Sequence, residues 1–190
     1  MKKSLGPQIL VYPTPVFLVG TFDENGQPNI MNAAWGGVCC SEPPCVAVSV
    51  RPGRHTFAGL LKHKAFSINI PSASQIAEAD LTGIASGASL NKFESCEWTA
   101  VPSDLVQAPY VQECPVTIEL ELAHAFNLGT HTLFIGEIKD TKIAEHCLDD
   151  AGKPDILKVQ PMLFDTGQKN YHAVGAMLGK AYNIGKKLLK

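Results

Sequence analysis

VFLVGTFD at Val16–Asp23 and PNIMNAAW at Pro28–Trp35 decide how this chain begins to fold, because Asn25–Gly26 between them is a strong short-hairpin signal. Two antiparallel strands are the simplest reading. Working outward, CVAVSV (Cys45–Val50) is a third strand, short and valine-rich, followed by RPGRHT and a helical segment, FAGLLKHK (Phe57–Lys64). AFSINI (Ala65–Ile70) alternates again as a fourth strand. Ser72-x-x-Gln75 has capping-box spacing and opens a short helix through Ala77–Leu81. Asn91-x-x-Glu94 marks a helical turn at Lys92–Phe93, beyond the flexible loop GIASGAS. CPVTIELELAHA (Cys114–Ala125) and HTLFIGEIKDTKI (His131–Ile143) are long β patterns separated by Asn127–Leu128–Gly129 and predict a hairpin. Glu119 and Glu121 alternate with Ile118, Leu120 and Leu122, which places one face of that strand in solvent. Pro161–Asp165 is a further short strand, and the chain ends in a basic tail, GKKLLK, within a segment Gly179–Lys190 that reads either as an amphipathic arm across a partner subunit or as a frayed end.

Six or seven strands against two or three short helices predict a mainly β fold, an antiparallel barrel rather than alternating βαβ units. A length of 190 residues fits a single domain, residues 1–190, on the usual scale of about 100–200 residues per domain. With 45% hydrophobic and 18% charged residues, the composition is that of a soluble globule. The 16 Lys and Arg against 18 Asp and Glu leave a net charge of −2, so no positive field favours nucleic acid or an anionic membrane. The uncharged stretch Leu5–Phe22 is broken by Pro7, Pro13 and Pro15, too interrupted for a spanning helix or a signal peptide, and a cytoplasmic address is expected. The six cysteines are irregularly spaced, and most of them are expected to pack as small hydrophobes in a reducing compartment. The nearest thing to a metal cluster, Glu145–His146–Cys147 with Asp149 and Asp150, points its consecutive side chains in different directions, and no metal site is expected. The adjacent pair Cys39–Cys40 could suggest thiol chemistry, but a bridge between neighbours is strained.

GxGxxG and GxxxxGK[ST] are both absent, so nucleotide recognition here needs other residues. The polar residues that look out of place lie at strand ends. Asn29, Asn32 and Trp35, on an otherwise small and apolar segment, could offer amide hydrogen bonds and an aromatic plane to a flat heteroaromatic ligand, or could be a solvent-facing strand edge with a core Trp. Arg51–Pro–Gly–Arg54–His–Thr56 lies between a buried-looking strand and a helix start, where two guanidiniums, a hydroxyl and free N–H groups could converge on a phosphate. Lys92 could close on the same anion or lie at the surface. His131 opens a strand, where a neutral imidazole could donate to a ligand oxygen, and Phe164 is by default a core residue. No nucleophile, general acid or general base stands out, so no catalytic side chain is assigned.

Taken together, PNIMNAAWGGVCCSEPP, SVRPGRHT, the Lys–Phe pair of SLNKF, YVQECPV and GTHTLFIGEI resemble the flavin reductase-like, FMN-binding split-barrel family, and within it the flavoredoxins, over roughly residues 10–175. The resemblance implies a six-stranded antiparallel split barrel with flanking short helices, working as a homodimer with FMN near the subunit interface. It implies that Asn29, Asn32 and Trp35 line the flavin ring and ribityl chain, that Arg51, Arg54, Thr56 and Lys92 surround the phosphate, and that His131 and Phe164 complete the pocket. Many relatives have Asp before the histidine of the GxH strand and Thr after the methionine of the NxM segment; here Thr130 and Asn32 stand there, and the hydrogen bonding of His131 is left open. The implied function is electron transfer to a redox protein partner. The alternatives are an NAD(P)H:flavin oxidoreductase and a split-barrel module that binds a ligand without redox turnover.

Overall fold

The computed structural model describes residues 1–189; Lys190, the last residue of the basic tail, lies outside them. After a short β1 (Thr14–Pro15), the two opening patterns form β2 (Phe17–Phe22) and β3 (Pro28–Ala33), paired antiparallel with Phe22 opposite Pro28. The turn is wider than the dipeptide Asn25–Gly26. Asp23 and Gln27 close it through their backbones, and the Asp23 carboxylate accepts the N–H groups of Asn25 and Gln27, both at 2.8 Å, while Gly26 takes φ +79°.

Next come β4 (Gly36–Ser41), β5 (Pro44–Val50), α1 (His55–His63), β6 (Ala65–Ile70), α2 (Ile76–Ile84) and α3 (Lys92–Ser95). They are followed by β7 (Ala100–Pro102), β8 (Pro109–Val111), β9 (Val116–Asn127), β10 (Thr132–Ile143), α4 (Ile156–Val159), β11 (Met162–Phe164) and β12 (Tyr171–Ala173). Local signals hold where expected. Gln75 Oε1 accepts the Ser72 N–H at 2.9 Å ahead of α2, Asn91 Oδ1 accepts the Glu94 N–H at 3.3 Å, and Lys64 at φ +53° ends α1. β9 and β10 form the expected long hairpin.

The main sheet has seven antiparallel strands in the order β3-β2-β6-β9-β10-β5-β4. Its two edge strands, β3 and β4, are consecutive in the chain and joined only by Ala34 and Trp35. Laid flat, six inter-strand steps of about 4.8 Å would separate those edges by about 29 Å, whereas the three Cα steps from Ala33 to Gly36 reach at most about 11 Å. The sheet must therefore curl until its edges meet. They meet without pairing to each other, and the barrel is split along this seam. Gly36 makes the closure possible, because a Cβ there would lie 2.8 Å from the Ala47 carbonyl and 3.0 Å from the ring of Phe17 on β2, the strand beside the far edge. Trp35 is held by its carbonyl, which accepts the Ser49 N–H at 2.8 Å.

Val19, Met31, Val48, Phe66, Leu120 and Phe134 fill the inside of the barrel. The outer faces of β2 and β3 carry Leu18 and Ile30, which pack under Ala79, Phe93, Trp98 and Val111. Both faces being covered explains why these strands read as nearly continuous apolar runs.

One expectation is corrected. Glu119 does not face solvent: it is fully buried under the β7–β8 hairpin, 2.7 Å from Lys142 Nζ, and accepts the Leu105 N–H at 3.1 Å. Burial works against charge on Lys142, yet Asp140, Glu119 and Asp104 hold its ammonium well above the ordinary lysine value. Strand alternation reports which face a residue is on, not whether a later hairpin covers that face. Of the cysteines, Cys45, Cys96, Cys114 and Cys147 are buried, most of the six as expected, and Cys39 and Cys40 are exposed on β4. Among the described residues no helix is long and apolar enough to cross a membrane.

The seam generates a paired test. Gly36→Ala should destabilise the fold by about 1–3 kcal/mol through overpacking, lowering Tm by about 2–4 °C per kcal/mol. Gly37→Ala, whose added Cβ meets nothing within 4 Å, should stay within about 0.5 kcal/mol. Thermal unfolding of both variants checks this, and equal losses would remove Gly36 from the closure.

Candidate functional site at the barrel seam

A cleft of about 410 Å³ opens where the edges of the sheet meet. One wall is the end of β3 and its link to β4, with Asn32, Ala34 and Trp35. The facing wall is the end of β5, with Ser49, Val50 and Arg51, and His131 just before β10. The end of α2 contributes Asp80, Gly83 and Ile84, and the β11–β12 hairpin contributes Phe164, Lys169 and Tyr171.

The polar groups here are fixed before any ligand arrives. Asn32 Nδ2 donates to the Ala79 carbonyl at 2.9 Å and to the Tyr171 hydroxyl at 3.4 Å, and Tyr171 donates to Asp80 Oδ1 at 2.8 Å. With both amide protons engaged, Asn32 has its Oδ1 left to accept. Burial, with the hydrogen bond to Asp80, pushes the Tyr171 phenol up to about 12, so it stays protonated. The rings of Phe164 and Tyr171 pack at 5.6 Å. His131 Nδ1 lies 2.9 Å from Thr130 Oγ1, which settles the partner of this imidazole: a hydroxyl occupies the position where an aspartate would have placed a charge. Burial and the Arg51 guanidinium lower the His131 pKa, favouring the neutral ring at neutral pH.

A smaller cavity of about 90 Å³ adjoins the cleft, sharing Met31 and Arg54 with it. It is lined by Gly53, Arg54, His55 and Thr56 at the start of α1, by Ala85, Ser86 and Gly87, and by Lys92. The helix start carries no side-chain cap and no acidic residue in its first turn, so its positive end faces the cavity; the Phe57 N–H is bonded to the Arg54 carbonyl at 2.9 Å, and Asp23 Oδ2 lies 3.5 Å from His55 Nε2. Arg54 Nη1 donates to the Gly83 carbonyl at 3.2 Å, which ties the helix start to the end of α2. Asn29 Nδ2 donates to Thr56 Oγ1 at 2.8 Å in the buried floor. The loop passes close above, since a Cβ on Gly87 would collide with Asn29 Oδ1 and with the His55 ring.

Lys92 is not at the surface. It is buried, and its Nζ donates to the carbonyls of Ile30 at 2.9 Å and Thr82 at 2.8 Å. An ammonium has a third proton to give. Burial, then repulsion from Arg54, lowers its pKa to about 8.

The sequence-selected residues therefore divide between two connected cavities. Asn32, Trp35, Arg51, Arg54, His131 and Phe164 line the cleft, and Arg54, Thr56 and Lys92 line the smaller space. Asn29 is not among the side chains lining the cleft; it lies under the smaller cavity, against Thr56. Sequence reasoning missed Tyr171, Asp80, Lys169, His55 and Ser86. Of these, His55 and Ser86 lie inside motifs already singled out, RPGRHT and GIASGAS, whereas nothing local distinguishes Tyr171 from a surface tyrosine.

The family model described as flavin reductase like domain matches residues 10–173. A solved structure of flavoredoxin from Desulfovibrio vulgaris (Miyazaki F) is 51% identical and superposes with a TM-score of 0.93, covering 97% of this chain and 100% of that one. Flavoredoxin from Methanosarcina acetivorans is 29% identical, with a TM-score of 0.92 and full coverage of both chains. An uncharacterised protein of Pyrococcus abyssi is 31% identical over 147 residues, 77% of this chain and 83% of its own. With the split barrel, the cleft at its seam and these matches in agreement, the chain belongs to the flavin reductase like domain family.

Proposed function

We propose that this protein binds FMN across the two cavities and works as an electron carrier of flavoredoxin type, passing electron pairs to a redox partner protein. One observation carries the cofactor assignment: Lys92 is a buried ammonium that bonds only to backbone carbonyls, beside Arg54 and an uncapped helix start. Two cations and a positive dipole end with no acidic side chain among them are costly in isolation and fit a phosphate dianion. Arg54, Thr56 and Lys92 would hold the phosphate with Arg51 at its mouth, and Asn29 would fix the Thr56 hydroxyl. Asn32, Trp35, His131 and Phe164 would flank the ring and ribityl chain, with Asn32 Oδ1 as an acceptor and His131 as a neutral donor. Bound there, FMN supplies reversible two-electron chemistry, and the protein supplies placement and field.

Identity of 51% to a flavoredoxin supports the carrier assignment. Exposed apolar residues on the terminal segments, including Val11, Tyr12, Met177, Leu178 and Tyr182, support a homodimer in which those segments are covered. A cytoplasmic location accords with four buried free thiols. A second reading, NAD(P)H:flavin oxidoreductase, is favoured by a wide, exposed pocket around Arg51, Pro52, Gly53, Arg54, Gly129 and Thr130, which continues from the cleft and leaves room for a second nucleotide. Steady-state NADH and NADPH oxidation with excess flavin separates the two readings. Slow turnover supports the carrier, and rapid turnover establishes the reductase.

Two charge-assisted bonds to phosphate at about 1.5–3 kcal/mol each predict FMN binding at least about a hundredfold tighter than riboflavin. Equal affinities in a fluorescence titration would sink the phosphate site. The pH dependence has a definite sign. Lys92 with a pKa of about 8 in the free protein is half neutral at pH 8, and a bound anion raises that value, so FMN affinity should fall only about twofold from pH 7 to 8. It should then fall above pH 8 by up to about tenfold per pH unit. Riboflavin affinity should not follow, and a parallel fall for both ligands would exclude Lys92 as the cause.

A further inference from the structure

The β4–β5 hairpin brings three thiols together away from the cleft. Cys40 on β4 is the direct cross-strand partner of Cys45 on β5, one step in from the Ser41–Pro44 pair that closes the hairpin. Directly opposed residues of an antiparallel pair share a face, with Cα atoms about 4.5–5.5 Å apart, inside the 4.4–6.8 Å span that a disulfide bridges. Cys39 falls at a shift in register between Val38 and Cys40 and has no partner in the ladder, which leaves Cys40 as the thiol directly opposite Cys45. Access is asymmetric: Cys39 and Cys40 are exposed, whereas Cys45 is buried. Burial pushes the Cys45 thiol above its ordinary value, with Cys40 and Cys39 adding to the effect, as expected of thiols held close together. An exposed thiol with a buried thiol opposite it is the arrangement of an attacking and a resolving cysteine. Among the described residues the hydrogen bond that engages the Cys40 thiol is the one it donates to the Glu42 carbonyl at 3.4 Å, within the hairpin turn.

We propose that Cys40 and Cys45 form a reversible dithiol–disulfide couple, a second two-electron site of this protein, whose oxidant is a disulfide. The Cys40 thiolate attacks one sulfur of a disulfide RS–SR, forming a mixed disulfide and releasing one thiolate RS⁻. Cys45, giving up its proton, then attacks the Cys40 sulfur, forms the Cys40–Cys45 bond and releases the second thiolate. Two electrons pass from the protein thiols to the original disulfide, which leaves as two thiols, and the reverse sequence restores the dithiol. Neither step involves the cleft, so the proposal stands or falls separately from the flavin assignment.

Incubation of the full-length reduced protein with oxidised glutathione, followed by thiol counting and peptide mapping, tests it. Each chain should lose two of its six thiols and about 2 Da of mass, with Cys40 and Cys45 in one linked peptide pair; reduced glutathione in excess should reverse both changes. Cys39→Ser should still form the link. Cys45→Ser should instead stop at the mixed disulfide, with glutathione retained on the exposed thiols. Glutathione retained on the wild-type protein without a link, a Cys39–Cys40 or intermolecular link, or thiols left unmodified would each overturn the couple.

Discussion

Everything positional in this molecule follows from a shortage of chain. Two residues, Ala34 and Trp35, join strands at opposite edges of a seven-stranded sheet, and no flat arrangement lets them reach. Curling the sheet satisfies the link and encloses the apolar cluster around Phe66, Leu120 and Phe134 in the same event. It also brings the end of β3 opposite the end of β5, so that Asn32 and Trp35 confront Arg51 and His131. The cleft is therefore the mouth of the seam, built from groups that barrel closure has already immobilised. Its polar members need no further ordering, because Asn32, Tyr171 and Asp80 form a continuous hydrogen-bonded series anchored on α2.

Two lysine environments, one half-buried and one buried, show how differently the fold treats charge. Lys142 meets Glu119, Asp140 and Asp104, a set that neutralises it within the protein and seals the β7–β8 hairpin onto β9. The Lys92 ammonium donates to carbonyl oxygens alone, and the Arg54 guanidinium repels its charge. The first arrangement is complete as it stands. The second is a deficit of negative charge held open by the surrounding structure, and such deficits concentrate where a ligand completes them.

Much of this was legible in the chain, and the illegible parts share a cause. Asn25–Gly26, Ser72-x-x-Gln75 and Asn91-x-x-Glu94 act over a few residues, so their structural outcomes could be read locally, apart from the wider turn that Asp23 organises. RPGRHT disclosed a helix start beside basic groups for the same reason. Burial of Lys92 and Glu119, in contrast, depends on elements that arrive from far along the sequence, and their neighbours in the chain look like ordinary surface. Nothing local marks Gly36 either, because its need for a missing side chain comes from Phe17 on β2 and Ala47 on β5, which only the closed barrel brings against it. Tyr171 contributes through contacts with Asn32 and Asp80, about 90 or more positions away.

The economy of the Ala34–Trp35 link carries a consequence for how such a protein can change over evolutionary time. An insertion there would slacken the barrel and deform the binding wall at once, so novelty has no foothold on that side. The segments opposite, from Ala85 to Ser89 and from Asp165 to Asn170, lie outside the main sheet and tolerate altered length without disturbing its ladder. One rim of the pocket is thus tied to the barrel's closure, and the other is where length can change while the ladder of the main sheet stays whole.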